Sequence, residues 1–306
     1  DNNEGPMPFG PENRAIDGMH MDIADWDHAV TGGVTTVITG PGSGERMGGQ
    51  SITIKTFGSD FQRRVLKEAG ELKMAVNANN LTYIPHIRSH FLRAREYLEA
   101  WERYESGAGG GVPPERDLRL EALSKALTGE EMVRVHIGYA NDILSLLRLK
   151  DEFGFDLVFI HSNEAYKVAD EIARRNVGCI TMPLAFAYGV SDDQMRGNVV
   201  LHDAGVKVSL HTDYRVTQQK WLLLSAALSI RYGLPEDVAL KAITIHPAEL
   251  SRIDNRVGSI EPGKDADFVV LDGTWYELVT NVDMVFVDGV LAYDRARDEM
   301  PPEEIR

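Results

Sequence analysis

Three short apolar runs in this chain carry metal-binding residue types at or near their ends. VRVHIG holds His136, LVFIH closes on His161, and VSLHTD closes on Asp213. Imidazole nitrogens suit Zn2+, and a carboxylate beside a bound metal can both ligate it and take a proton from water. Each residue alone is unremarkable, but three of them at three strand ends predict one shared site. Strand alternation places His211 on the same face as Asp213, as a neighbour, a hydrogen-bond partner or a spare ligand.

Other residues suggest substrate contacts. The Gly-rich stretch GPGSGERMGGQ follows a strand-like run but matches neither phosphate-binding pattern, GxxxxGK[ST] or GxGxxG opening a helix. It reads as a tight active-site loop, with Gln50 and Lys55 as polar liners. Arg88 is a candidate clamp for a substrate carboxylate, because guanidinium binds carboxylate as a bidentate fork. His86 and His90 flank it in PHIRSHF and read as solvated or substrate-facing. Cys179, in the apolar run CITM, reads as a packed core thiol.

The elements that must position these groups alternate between β-type and helical periodicity. Strands are expected at 34–40, 51–56, 72–78, 133–138, 157–161, 179–184 and 206–213, with helices between most of them and two more at 221–232 and 235–244. Alternation of this kind predicts a parallel sheet, and a barrel of parallel strands gathers its catalytic groups at the strand C-termini. The fold expected is α/β, a (β/α)8 TIM-type barrel one strand short at its front. Residues 1–14 are expected to be an extended arm, 15–250 the barrel, and 251–306 a small β appendage and tail.

The chain of 306 residues carries 32 Lys and Arg against 47 Asp and Glu, a net charge of −15. Without a basic stripe, that balance disfavours nucleic acid and anionic membrane surfaces as partners. No apolar run approaches the roughly 18 residues of a membrane span. A single cysteine cannot form an internal disulfide, and with no leader-like opening the expected location is the cytoplasm.

The stretches KAITIHPAEL and VGSIEPGKDADFVVLDG resemble the C-terminal part of the amidohydrolase superfamily, specifically its imidazolonepropionase-like and prolidase-like members. GGVTTVITGPGSGERMGGQSITIKT resembles the same group's segment after the second barrel strand. The resemblance implies a metal-dependent barrel with a β-sandwich built from both chain termini. It also implies that His136 and His161 are metal ligands from strands five and six, and that Asp213, after strand eight, is ligand and general base.

Several positions depart from that pattern. His20 and His28 lack the spacing of the family's early His-x-His pair, Asn77, Ala78 and Asn79 stand where a GEN-like segment places Glu, Gly138 replaces a second histidine, and Tyr214 stands where relatives often carry His. With His211 and Tyr214 added to the substrate contacts, the remaining donors suit one divalent ion, Zn2+ above others. The expected activity is hydrolysis of C–N bonds in a small amide or cyclic amide. The alternative is a degenerate relative serving as a binding or scaffolding subunit. A barrel short of one strand invites a partner: a homo-oligomer, or a complementary chain that supplies the early segment.

Overall fold

The computed structural model describes residues 9–21, 23–44, 46–76, 82–109, 111–184, 191–214 and 216–298. In chain order the elements are α1 (Asp25–Thr31), β1 (Thr36–Thr39), β2 (Met47–Lys55), α2 (Phe61–Arg64), β3 (Val65–Val76), α3 (Tyr83–Glu105), α4 (Leu118–Leu127), β4 (Met132–Ile137), α5 (Ala140–Phe153), β5 (Leu157–His161), α6 (Ala169–Arg174), β6 (Gly178–Thr181), α7 (Asp192–Asp203), β7 (Val208–Leu210), α8 (Leu222–Arg231), α9 (Glu236–Lys241), α10 (Ile245–Leu250), β8 (Phe268–Leu271), β9 (Val282–Val287), β10 (Val290–Asp294) and α11 (Arg295–Asp298).

Strands β1 to β7 form one sheet in sequence order. From β3 to β7 every pairing is parallel, which is the alternating arrangement expected. The front of the sheet corrects the reading of a uniformly parallel barrel, because β1–β2 and β2–β3 are antiparallel. The connections explain this: a parallel crossover needs about a dozen residues or more, and both links here are shorter. The result is a half-barrel of (β/α) units with an antiparallel front.

Apolar alternation packs the sheet on both sides. Leu72, Met74, Val133, Val135, Leu157, Phe159, Val208 and Leu210 join the helices in the main core. Val158, Ile160 and Ile180 turn to the other face and are covered by Leu250 of α10. That inner face curls. β3 and β7 are four strand intervals apart, roughly 19 Å in a flat sheet at about 4.8 Å each, yet Lys73 on β3 and Asp213 beyond β7 interact electrostatically.

Part of the N-terminal arm lies along β2 through bridges Phe9–Met47 and Arg14–Gln50. Gly49 permits that approach, since it sits at φ +123° and a side chain there would collide with Asn13. Strands β8, β9 and β10 form a separate antiparallel sheet. Among the described residues the expected sandwich is thus a single sheet, backed by Val30 of α1 against Val285, Val287 and Tyr293. No helix among the described residues is long and apolar enough to cross a membrane.

Candidate active site

The C-terminal ends of β4, β5 and β7 bring the predicted cluster together. The His136 and His161 rings meet at 4.2 Å between centroids, and those of His161 and His211 at 4.8 Å. His161 Nε2 lies 3.7 Å from Asp213 Oδ2. Two of these residues stand in left-handed backbone, His161 at φ 68° and Asp213 at φ 49°, as does Ser162 at φ 51°. Non-glycine residues enter that region at a cost and only where surrounding structure holds them. The turn after β5 is held by Ser162 N donating to Ile137 O at 2.8 Å, and the turn after β7 by Val216 N donating to Asp213 O at 2.6 Å.

Burial sets the electrostatics. It pushes the His136 pKa down to about 3, with the charges of His161 and Lys73 adding to the effect. Burial and Lys73 bring His161 down to about 4, and burial holds His211 well below its ordinary value. All three imidazoles are therefore neutral at pH 7, the form that ligates metal or accepts a proton. Burial raises the Asp213 carboxyl, against the pull of Lys73, which suits it to exchange protons.

Lys73 is the member that sequence reasoning missed. It is 7% exposed, and burial lowers its pKa to about 8. Its ammonium donates to Ser43 Oγ at 2.9 Å and Gly42 O at 3.3 Å, tying the Gly-rich loop to the barrel interior. The signal was available in ELKMAV, where Glu71 and Lys73 share one face and Leu72, Met74 and Val76 the other. Arg134 shares the face of His136 in the same way and pairs with buried Glu71, with Nη2 donating to Oε1 at 2.6 Å.

Other expected contacts lie elsewhere. Lys55 is wholly buried in an ion cluster with Asp265, Asp267 and Asp288 that joins β2 to the appendage. Gln50 pairs with Leu72, whose side chain faces the helices, and donates to Pro11 O at 3.1 Å. Arg88 pairs with Glu152 at 2.7 Å, in the last turn of α5 and so far from the strand C-termini. These three residues do not join the cluster. The Tyr214 hydroxyl donates to Asp25 Oδ1 of α1 at 2.8 Å, bracing the turn that carries Asp213. His86 and His90 face each other at 3.3 Å between Nε2 atoms under Phe9, outside the cluster. Residues 77–79 lie outside the described residues. Burial raises the Cys179 thiol to about 12, as a core thiol requires.

The donor set fits a divalent cation in chemistry and in pairwise proximity. His136 Nδ1 and His211 Nε2 are buried without hydrogen-bond partners, so each retains a nitrogen to offer. Among the described residues no three such side chains already surround one point. Ligation therefore requires side-chain adjustment. Beside His161 lies a cavity of ≈ 30 Å³, edged by Ser162, Thr181, Met182 and Asn198.

Residues 121–292 match the model of the amidohydrolase family. The fold superposes on a crystal structure of an amidohydrolase from Thermotoga maritima with TM-score 0.89 at 31% identity, covering 96% of this chain and 81% of that one. The amidohydrolase tasK of Hapsidospora irregularis is 28% identical over 96% of this chain and 34% of its own length. An imidazolonepropionase of Thermoplasma acidophilum is 24% identical over 81% of this chain and 60% of its own. The chain thus spans about a third of tasK and less than two thirds of that imidazolonepropionase.

Proposed function

Because the chain belongs to the amidohydrolase family, we propose that it hydrolyses a C–N bond in a small amide, cyclic amide or N-acyl amino acid. The observation that carries this reading is the meeting of His136, His161 and Asp213 from three strand ends, with 3.7 Å between His161 Nε2 and Asp213 Oδ2. His136, His161 and Asp213 would hold one divalent ion, Zn2+ by donor type, with His211 as neighbour. Bound there, the ion supplies Lewis acidity to the scissile carbonyl and lowers the pKa of water.

The chain's own residues do the rest. Asp213 takes the proton of the attacking water on a carboxylate oxygen and delivers it to the leaving nitrogen. Lys73 presents fixed positive charge toward the negative charge that develops on the carbonyl oxygen. Its bonds to Gly42 and Ser43 hold the Gly-rich loop at the rim. Tyr214 fixes the Asp213 turn through Asp25.

The test is a panel of N-acyl amino acids and cyclic ureides with metal-loaded protein. Asp213→Asn should abolish turnover without unfolding the chain, and His161→Ala should lower the metal bound per chain by elemental analysis. Full activity in Asp213→Asn, or unchanged metal in His161→Ala, refutes the assignment.

A further inference from the structure

Helix α7 is a wall shared by two cavities. Gln194, Gly197, Asn198 and Leu201 face the cavity beside His161. Its other side presents Arg196, Val199 and Val200 to an outer groove of ≈ 440 Å³, completed by Arg231 and Tyr232 at the end of α8. Ligand sites for small molecules span roughly 300–1,000 Å³. The groove is of that size.

Its charge is unusual for this chain. Acids outnumber bases 47 to 32, and Arg174, Arg175, Arg252 and Arg256 are each held by a carboxylate. Among the described residues the Arg196 and Arg231 side chains make no ion pair and no hydrogen bond. Both charges act on the Tyr232 hydroxyl, opposing the upward push of its 3.0 Å bond to Asp192. Both guanidiniums line the groove, and an oxyanion there accepts from either fork, in competition with the Asp192 carboxylate that holds Tyr232. Val200 is 42% exposed and, with Val199, gives the groove an apolar side.

We propose that this groove is a second ligand site, which takes an organic oxyanion: a carboxylate or phosphate held by Arg196 and Arg231, on an apolar body that packs against Val199 and Val200. Occupancy is transmitted through α7. Asn198 accepts from Thr181 Oγ1 at the end of β6 at 2.7 Å and donates to Ser229 Oγ of α8 at 3.2 Å, so movement of α7 is felt at the strand ends.

Calorimetric titration with benzoate, phenyl phosphate, inorganic phosphate and benzamide tests the site. Benzoate or phenyl phosphate should bind saturably, at least tenfold tighter than inorganic phosphate, and benzamide should not bind. Whichever of the two binds identifies the head group. Arg196→Gln and Arg231→Gln should each weaken binding at least tenfold. Both side chains are exposed, so circular dichroism should show an unchanged fold. Benzoate entering the cavity beside His161 would instead survive the double variant R196Q/R231Q, and that result overturns the proposal. Equal binding of benzamide, or no binding of either aromatic anion, does so as well. Saturating ligand should slow hydrogen exchange in α7; unchanged exchange overturns the link to the strand ends.

Discussion

Replacing Lys73 by Met should make the protein more stable and less active. The ammonium holds a pKa of about 8 in the fold against 10.5 in the open. At about 1.4 kcal/mol per pH unit, keeping Lys73 charged in the fold costs about 3 kcal/mol at pH 7. The sign follows from its being a base with a lowered pKa: the unfolded chain holds the proton more tightly. The penalty is complete below about pH 8, shrinks between pH 8 and 10.5, and is gone above. Methionine removes that cost but strands the acceptors at Gly42 and Ser43, a loss of about 1–3 kcal/mol. The net expectation is a gain of about 1 kcal/mol at pH 7. If the proposed reaction occurs there, activity should fall about 100-fold or more, because a preorganised charge is removed from the proposed reacting centre. Urea denaturation of both proteins at pH 7 and pH 10, beside kcat/KM at pH 7, measures each part. The stability gap between variant and parent should turn against the variant as pH rises toward 10.5. A variant less stable by more than about 2 kcal/mol at pH 7, or a gap that ignores pH, refutes the reasoning.

Lys55→Met should act in the opposite direction. It leaves Asp267 and Asp288 crowded without their cation and Asp265 with Arg256 alone, a loss of about 3–5 kcal/mol, with the sheet of β8 to β10 becoming protease-sensitive; urea midpoints and trypsin digestion check this, and an unchanged midpoint disproves it. Acid should also destabilise the chain. Because the pKa values of His136 and His161 fall to about 3 and about 4, the unfolded state takes up protons that the fold refuses, and stability should decline as pH falls from about 6.5 toward 4. A flat unfolding free energy across that window, measured without added metal, contradicts the burial argument.

Much of this was legible because apolar runs and their ends are local. LVFIH is an apolar run closing on a polar residue, and the strand there spans Leu157–His161 as expected. Strand direction was not encoded in the alternation itself. SITIKT reads the same whether β2 runs parallel or antiparallel, and only the short links on either side decide it. Lys55 was misread for a different reason. Its partners Asp267 and Asp288 lie 212 and 233 residues away in the chain, so nothing near it in sequence announces an ion cluster. Arg88 was misplaced because α3 begins at Tyr83 and carries it away from the strand ends before its side chain can reach them.

His161 shows where alternation fails and why. Val158 and Ile160 face the inner side of the sheet, so strict period two would send the next residue outward, toward the helices. The left-handed backbone at His161 and Ser162 reverses that, and the ring meets His136 and His211 on the inner side. Left-handed backbone recurs after β7, where Asp213 takes φ 49° on the face that alternation already gives it, and its turn is pinned by Thr217, with Oγ1 donating to Leu184 O at 3.1 Å. Each such residue costs about 1–3 kcal/mol, which a chain optimised for stability alone would avoid. The half-barrel accepts that strain at His161 and Asp213, and these are the residues that meet at 3.7 Å in the proposed site. Local rule-breaking and the proposed chemistry coincide there, as expected where a fold spends stability on holding reactive groups in place.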